Sequence, residues 1–196
     1  MTLLSLQPSY VSLIQKPYCC AVACLQMILY RNGCGLFDQE TLAIKFGVKI
    51  APADAAAFSA AMPIMTKSNC DEGIQTIESG NQINSFFDEM RIPLRAQSFK
   101  RSALKDIPAF LNEHLGKDHD IWVEYHTNEI YSDFPNEAEL IHDGLIESFD
   151  SASQKIALID PMPNHRQRNV IALEALERSI SKQYGRETGF IVIEKR

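Results

Sequence analysis

Gln15-Lys16-Pro17-Tyr18-Cys19-Cys20-Ala21-Val22-Ala23-Cys24-Leu25-Gln26-Met27 is the stretch on which the reading of this chain turns. Val22, Leu25, Ile28 and Leu29 recur three and four residues apart, which predicts a helix from Cys20 to Arg31. Pro17 stands before it and Gly33 after it, where a helix start and stop belong. A cysteine in the first helical turn feels the positive end of the helix dipole and can receive backbone N–H bonds. Both favour thiolate over thiol, and the thiolate is the nucleophile. Cys20 takes that place, while Cys24 sits one turn deeper, where a small apolar side chain packs into a core. The plainer alternative is a core helix that happens to be rich in cysteine, since free cysteine is among the most buried residue types. A zinc site is not expected, because Cys19, Cys20 and Cys24 form no CxxC pair and have no second pair to match.

A thiolate nucleophile needs a base, and the base needs a group to orient it. The candidates are His114, His119, His126, His142 and His165. His114 falls in an expected helix, and His119 and His165 in polar loops. His142 lies on an expected strand, Glu139 to Phe149, followed by a turn near Ser151 and a return strand, Lys155 to Asp160. A hairpin centred on Ser151 sets His142 directly opposite Asp160, with Cβ atoms about 5 Å apart on one face. A cross-strand ion pair on a solvated face is the ordinary alternative. Against it, Ile156, Ala157, Leu158 and Ile159 make the return strand apolar on both faces, and Pro161 ends it at a sheet rim. Cys20, His142 and Asp160, in that order, supply nucleophile, base and orienter. His126 is the rival base, ending the apolar strand Ile121 to Tyr125 without a carboxylate placed opposite it by a simple hairpin.

The rest of the chain fits an enzyme-sized unit. Its 196 residues suit one domain with insertions, and 45% apolar with 22% charged residues exclude a largely disordered chain. Helices are expected at Gln39 to Phe46, Gln82 to Met90, Asp106 to Leu115 and Ile171 to Ser181. Ala51 to Met65 is read as a short helix or surface insertion. Strands are expected at Leu94 to Phe99 and Gly189 to Glu194 as well. Helices first and strands later predict an α+β fold, a helical half on an antiparallel sheet. A net charge of −6 argues against nucleic acid as main partner. No stretch reaches the eighteen or so apolar residues of a membrane span, and no secretory signal is read at the start, so a cytoplasmic location is expected. The five cysteines, odd in number and crowded at one end, suit reduced thiols.

These residues resemble the nucleophile motif of the bacteriocin-processing, double-glycine cysteine peptidases, Asp-Cys-Gly-x-Ala-Cys-Leu-x-Met with a later Gly. Cys20 falls on the nucleophile, and Ala23, Leu25, Met27 and Gly33 on their counterparts. Gln15 matches the family's upstream Gln, whose side-chain amide helps form the oxyanion hole. His142 with Asp143-Gly144, then Asp160-Pro161, resembles the family's His segment and Asp-Pro. The resemblance implies a papain-like fold, a Cys20-His142-Asp160 triad assisted by Gln15, and a peptide or protein substrate; no cofactor is implied. Cys19 and Ala21 depart from the family's Asp and Gly. The gap from Cys20 to His142 implies insertions near residues 51–70 and 126–136. Two further functions stay open on this fold: a binding or regulatory module with its chemistry lost, and an acyl transferase of the phytochelatin-synthase-like kind.

Overall fold

A computed structural model describes residues 3–65, 79–131, 141–163, 165–181 and 187–196. The cysteine helix runs Cys20–Arg31 (α1), with the bounds read from the sequence. Residues 21–29 are all buried, so α1 is a core helix, and Gly33 at φ +71 turns the chain away from its end. The other helices are Gln39–Lys45 (α2), Gly80–Glu89 (α3), Ile107–Gly116 (α4) and Leu173–Ser181 (α5). Side chains cap two of them: Asp38 accepts from Thr41 N, and Asp106 from Ala109 N. Within Ala51 to Met65 the regular element is a 3-10 helix, Pro52–Ala57. Residues 66–70 and 132–136 of the two expected insertions lie outside the described residues.

The strands are Leu3–Ser5 (β1), Leu94–Lys100 (β2), Asp120–His126 (β3), Ile141–Asp150 (β4), Lys155–Ile159 (β5), Arg168–Ala172 (β6) and Gly189–Lys195 (β7). They form one antiparallel sheet in the order β2-β7-β3-β4-β5-β6. β1 pairs with the far half of β4, beyond the part that β3 covers. Mixed helices on an antiparallel sheet are the α+β class expected. β1 and β6 were not foreseen. β1 has three residues, too few to show an alternation, and β6 runs straight into α5, so Ile171 and Ala172 read as the first turn of the helix. Glu139 and Leu140, expected at the start of β4, lie outside the described residues.

Strand alternation fixes which side chains meet which helix. In the register of β3 with β4, Glu124 opposes Asp143 and Tyr125 opposes His142. Trp122, Glu124, His126 and Asp143 therefore share one face, and Tyr125, His142 and Gly144 the other. α1 crosses the first face: Arg31 at its end pairs with Asp120, and Cys20 at its start bonds Asp143. α4 covers the second, where Phe110 packs its ring against Phe99 and Phe190 at centroid distances of 5.2 and 5.0 Å.

The β4–β5 hairpin corrects the expected register. Leu145 opposes Ile159, and past an irregularity at Glu147 Ser148 opposes Ala157. The turn is longer than a reversal centred on Ser151, with Gln154 at φ +53, and shifts the return strand by three residues, of which the bulge at Glu147 takes one back. Asp160 is thus carried two residues along from the place expected, level with Gly144. A shift of two keeps it on the face of His142.

Candidate active site

Asp160 is fully buried just past the end of β5 and gathers four donors among the described residues. His142 Nε2 lies 2.8 Å from its Oδ1, the backbone N–H of Met162 donates to the same oxygen at 2.8 Å, and Tyr125 donates to Oδ2 at 2.9 Å. The Tyr131 hydroxyl donates to Oδ2 as well and itself accepts from Asn169 Nδ2 at 3.2 Å. Burial by itself pushes the Asp160 carboxyl up, but the bonds from His142, Tyr131 and the Met162 N–H outweigh it and hold it below its ordinary value. An ionised carboxylate only accepts, so the proton sits on His142 Nε2 and Nδ1 is left as the basic nitrogen. Gly144 makes room for this arrangement. A Cβ there would lie 3.0 Å from Ile159 O and 3.2 Å from the Tyr125 ring.

The other half of the site is on the α1 face. Cys20 keeps some exposure at the start of α1, whereas Cys19 and Cys24 are buried. The turn before it has Pro17 second and Tyr18 third, at φ +62, closed by Cys19 N to Lys16 O at 3.0 Å. That is the type II geometry, which glycine usually fills; a tyrosine there carries about 1 kcal/mol of strain. The Cys20 thiol donates to Asp143 Oδ2 at 3.3 Å, and Trp122 Nε1 donates to Asp143 Oδ1 at 2.7 Å. Burial and then the Asp143 carboxylate push the Cys20 thiol well up, against the backbone N–H of Ala21, which favours its anion. Burial also raises Cys19, to about 12.

The structure thus brings His142 to Asp160 and Cys20 to the residue next to His142. The hydrogen bond of the Cys20 thiol goes to Asp143 and not to the His142 ring. Gln15 reaches the same rim: its N–H donates to Pro161 O at 2.9 Å, one residue past Asp160. Its Oε1 is buried and accepts no hydrogen bond among the described residues. Gln39 staples the backbone on both sides of it, donating to Ile14 O at 2.9 Å and accepting from Lys16 N at 3.0 Å. Asp143, Trp122, Tyr125, Tyr131 and Gln39 were missed in the sequence. The alternation of β4 was the available signal for Asp143, since a residue beside an inward histidine faces the opposite layer.

Lys16 ties this segment to the loop after the 3-10 helix. Its Nζ pairs with Glu40 and donates to Ala57 O at 2.8 Å, while Glu40 accepts from Ser59 and Ala60 N–H groups at 3.0 and 2.8 Å. The Lys16 bond first, then those from Ser59 and Ala60, hold the Glu40 carboxyl down at about 2, from 4.5. A depressed carboxyl stabilises the fold above its unfolded value and loses that contribution as pH falls through the folded one. The stability gap between wild type and Glu40→Gln should therefore be constant above about pH 5 and close on the way down toward about pH 2. Urea unfolding at a series of pH values measures it, and a gap that widens in acid contradicts the assignment.

No protein-family model matches the sequence, and no curated protein matches it. Solved structures do match over its whole length. A C39-like peptidase from Bacillus anthracis superposes with a TM-score of 0.64 at 15% identity, covering 100% of this chain and 99% of that one. The chain has a C39-like peptidase fold. A double-glycine motif protease from an AMS/PCAT transporter, in complex with the leader peptide, agrees at a TM-score of 0.54 and 12% identity, covering 100% of each chain. The C39-like fold agrees with the papain-like architecture that the cysteine motif implied. Among the described residues no helix is long and apolar enough to cross a membrane.

Proposed function

We propose that this chain is a cysteine peptidase that hydrolyses an amide bond in a peptide or protein substrate. The observation that carries the reading is the buried His142–Asp160 bond at the rim where α1 presents Cys20. Once Cys20 has left Asp143 and passed round the start of β4 to the face of His142, its proton passes to His142 Nδ1 and the thiolate attacks the scissile carbonyl. The Cys20 N–H at the helix start and the Gln15 amide stabilise the oxyanion. His142 then gives its proton to the leaving amine, and water, deprotonated by His142, hydrolyses the thioester and frees Cys20. Asp160 holds the imidazole in the tautomer that leaves Nδ1 basic. The peptide bound by the double-glycine neighbour supports a peptide as the substrate class.

The test is covalent labelling with a peptidyl vinyl sulfone and cleavage of a mixed peptide library. Label should map to Cys20, and Cys20→Ala should lose both label and cleavage. Label on Cys19 or Cys34 instead would remove Cys20 from the mechanism. The Cys20–Asp143 bond favours a second reading, a peptidase-like module that binds peptide without cleaving it. Under that reading peptide binds, Cys20 stays unlabelled and nothing is cut.

A further inference from the structure

We propose that Asp143 is a latch on the nucleophile: its carboxylate holds the Cys20 sulfur as a neutral thiol in the resting enzyme, and Cys20 reacts only on leaving it. The inference rests on the reading of Cys20 as nucleophile.

The geometry is specific. Asp143 is buried, its Oδ1 is fixed by Trp122 Nε1 at 2.7 Å, and its Oδ2 faces the Cys20 sulfur at 3.3 Å. A carboxylate accepts only, so the bond needs the sulfur to keep its proton. A second negative charge beside a buried carboxylate is strongly disfavoured. The raised Cys20 thiol agrees with this, with burial the first cause and Asp143 the second. The titratable groups around the pair are Cys24 on α1, Glu124 and His126 on the same face of β3, and His142 with Asp160 through the sheet. Of these, Glu124 stands directly opposite Asp143, so the latch works in a pocket already rich in acid.

Release is a simple proton transfer. The S–H bond breaks, its electron pair stays on sulfur, and the proton moves to His142 Nδ1 once the sulfur has passed round the start of β4 from the face of Asp143 to that of His142. Asp143 keeps its charge and nothing is oxidised. Substrate that seats beside Cys20 and displaces it from Asp143 thereby switches the thiol on, while the empty enzyme is shielded from stray electrophiles.

Asp143→Asn tests the latch. Asparagine keeps the volume and the acceptor for Trp122, but offers the sulfur an N–H donor in place of a charge. The Cys20 alkylation rate with iodoacetamide near neutral pH should rise about tenfold or more, since one unit of thiol pKa is a factor of ten in thiolate. Its midpoint should move to lower pH. Trp122 is the sole tryptophan, so its near-ultraviolet dichroism checks that the variant is folded. If the asparagine disturbs that signal, Asp143→Ser removes the charge with a smaller side chain and should accelerate alkylation too. Rates unchanged or slowed in a folded variant overturn the latch. If alkylation accelerates but neither wild type nor variant cleaves any peptide, the thiol-holding role stands and the peptidase reading falls. If wild type cleaves through Cys20 and alkylation is unmoved by the loss of Asp143, the latch alone falls.

Discussion

On the proposed mechanism, replacing His142 with alanine should lower turnover by about a hundred- to ten-thousandfold, the range for a lost general base. It should also raise the pH at which Cys20 is alkylated, because the sulfur on leaving Asp143 would no longer meet the imidazolium that the proposed mechanism supplies to its thiolate. His126→Ala should leave both nearly unchanged. The contrast is sharp because the two histidines are buried alike, at 3% and 2% exposure, and differ in company. His142 has a carboxylate on Nε2 that is itself held by Tyr125, Tyr131 and the Met162 N–H. His126 ends β3 on the face of α1, the side on which Cys20 meets Asp143. Steady-state rates on one peptide, with alkylation followed by mass mapping, decide between them. Should His126→Ala carry the larger loss, His126 is the base, and Asp160 loses its role as orienter.

Arg31→Ala destabilises the fold by about 3–5 kcal/mol, the range for breaking a buried ion pair from one side. The Arg31 side chain is 2% exposed, and so is that of its partner Asp120, 3.0 Å away. Asp120 also accepts from Tyr10 and Asn32 at 2.5 and 2.7 Å, and Arg31 donates to Pro8 O at 2.9 Å, which ties the N-terminal segment down. Burial pushes the Asp120 carboxyl up, and Arg31 is the chief opposing influence. Without it the carboxyl rises further, so the variant's deficit shrinks in acid, where Asp120 is protonated. Urea unfolding near neutral pH measures the loss. Arg31→Met with Asp120→Asn should recover part of it, since the uncompensated charge is gone. A single-variant loss below about 1 kcal/mol places the pair among surface salt bridges in energetic terms.

The cysteine helix and its bounds were legible because both rest on local chemistry. A three-four apolar period, a proline before and a glycine after are enough for α1. His142 and Asp160 were legible as a pair because a period-two strand tolerates an error of two residues without changing face, and the true register differs by two. What stayed hidden depends on packing between layers. That Asp143, and not His142, points at α1 follows from which face the helix covers, and no single strand carries that information. Trp122 and Tyr125 belong to a strand brought beside β4 only by the sheet order. β6 was lost to α5 because the two share apolar residues at their junction.

The anchoring of α1 is lopsided. Arg31 and Asn32 at one end are bound to Asp118 and Asp120 through charged hydrogen bonds, while Cys20 at the other end holds the sheet by a thiol contact. Any tilt of such a helix would pivot at the end far from Cys20. Its 12 residues span about 18 Å, so a tilt of about 5° swings its first residue by about 1.5 Å. That travel is on the scale of one hydrogen bond, enough to part the sulfur from Asp143 while every turn of α1 stays intact.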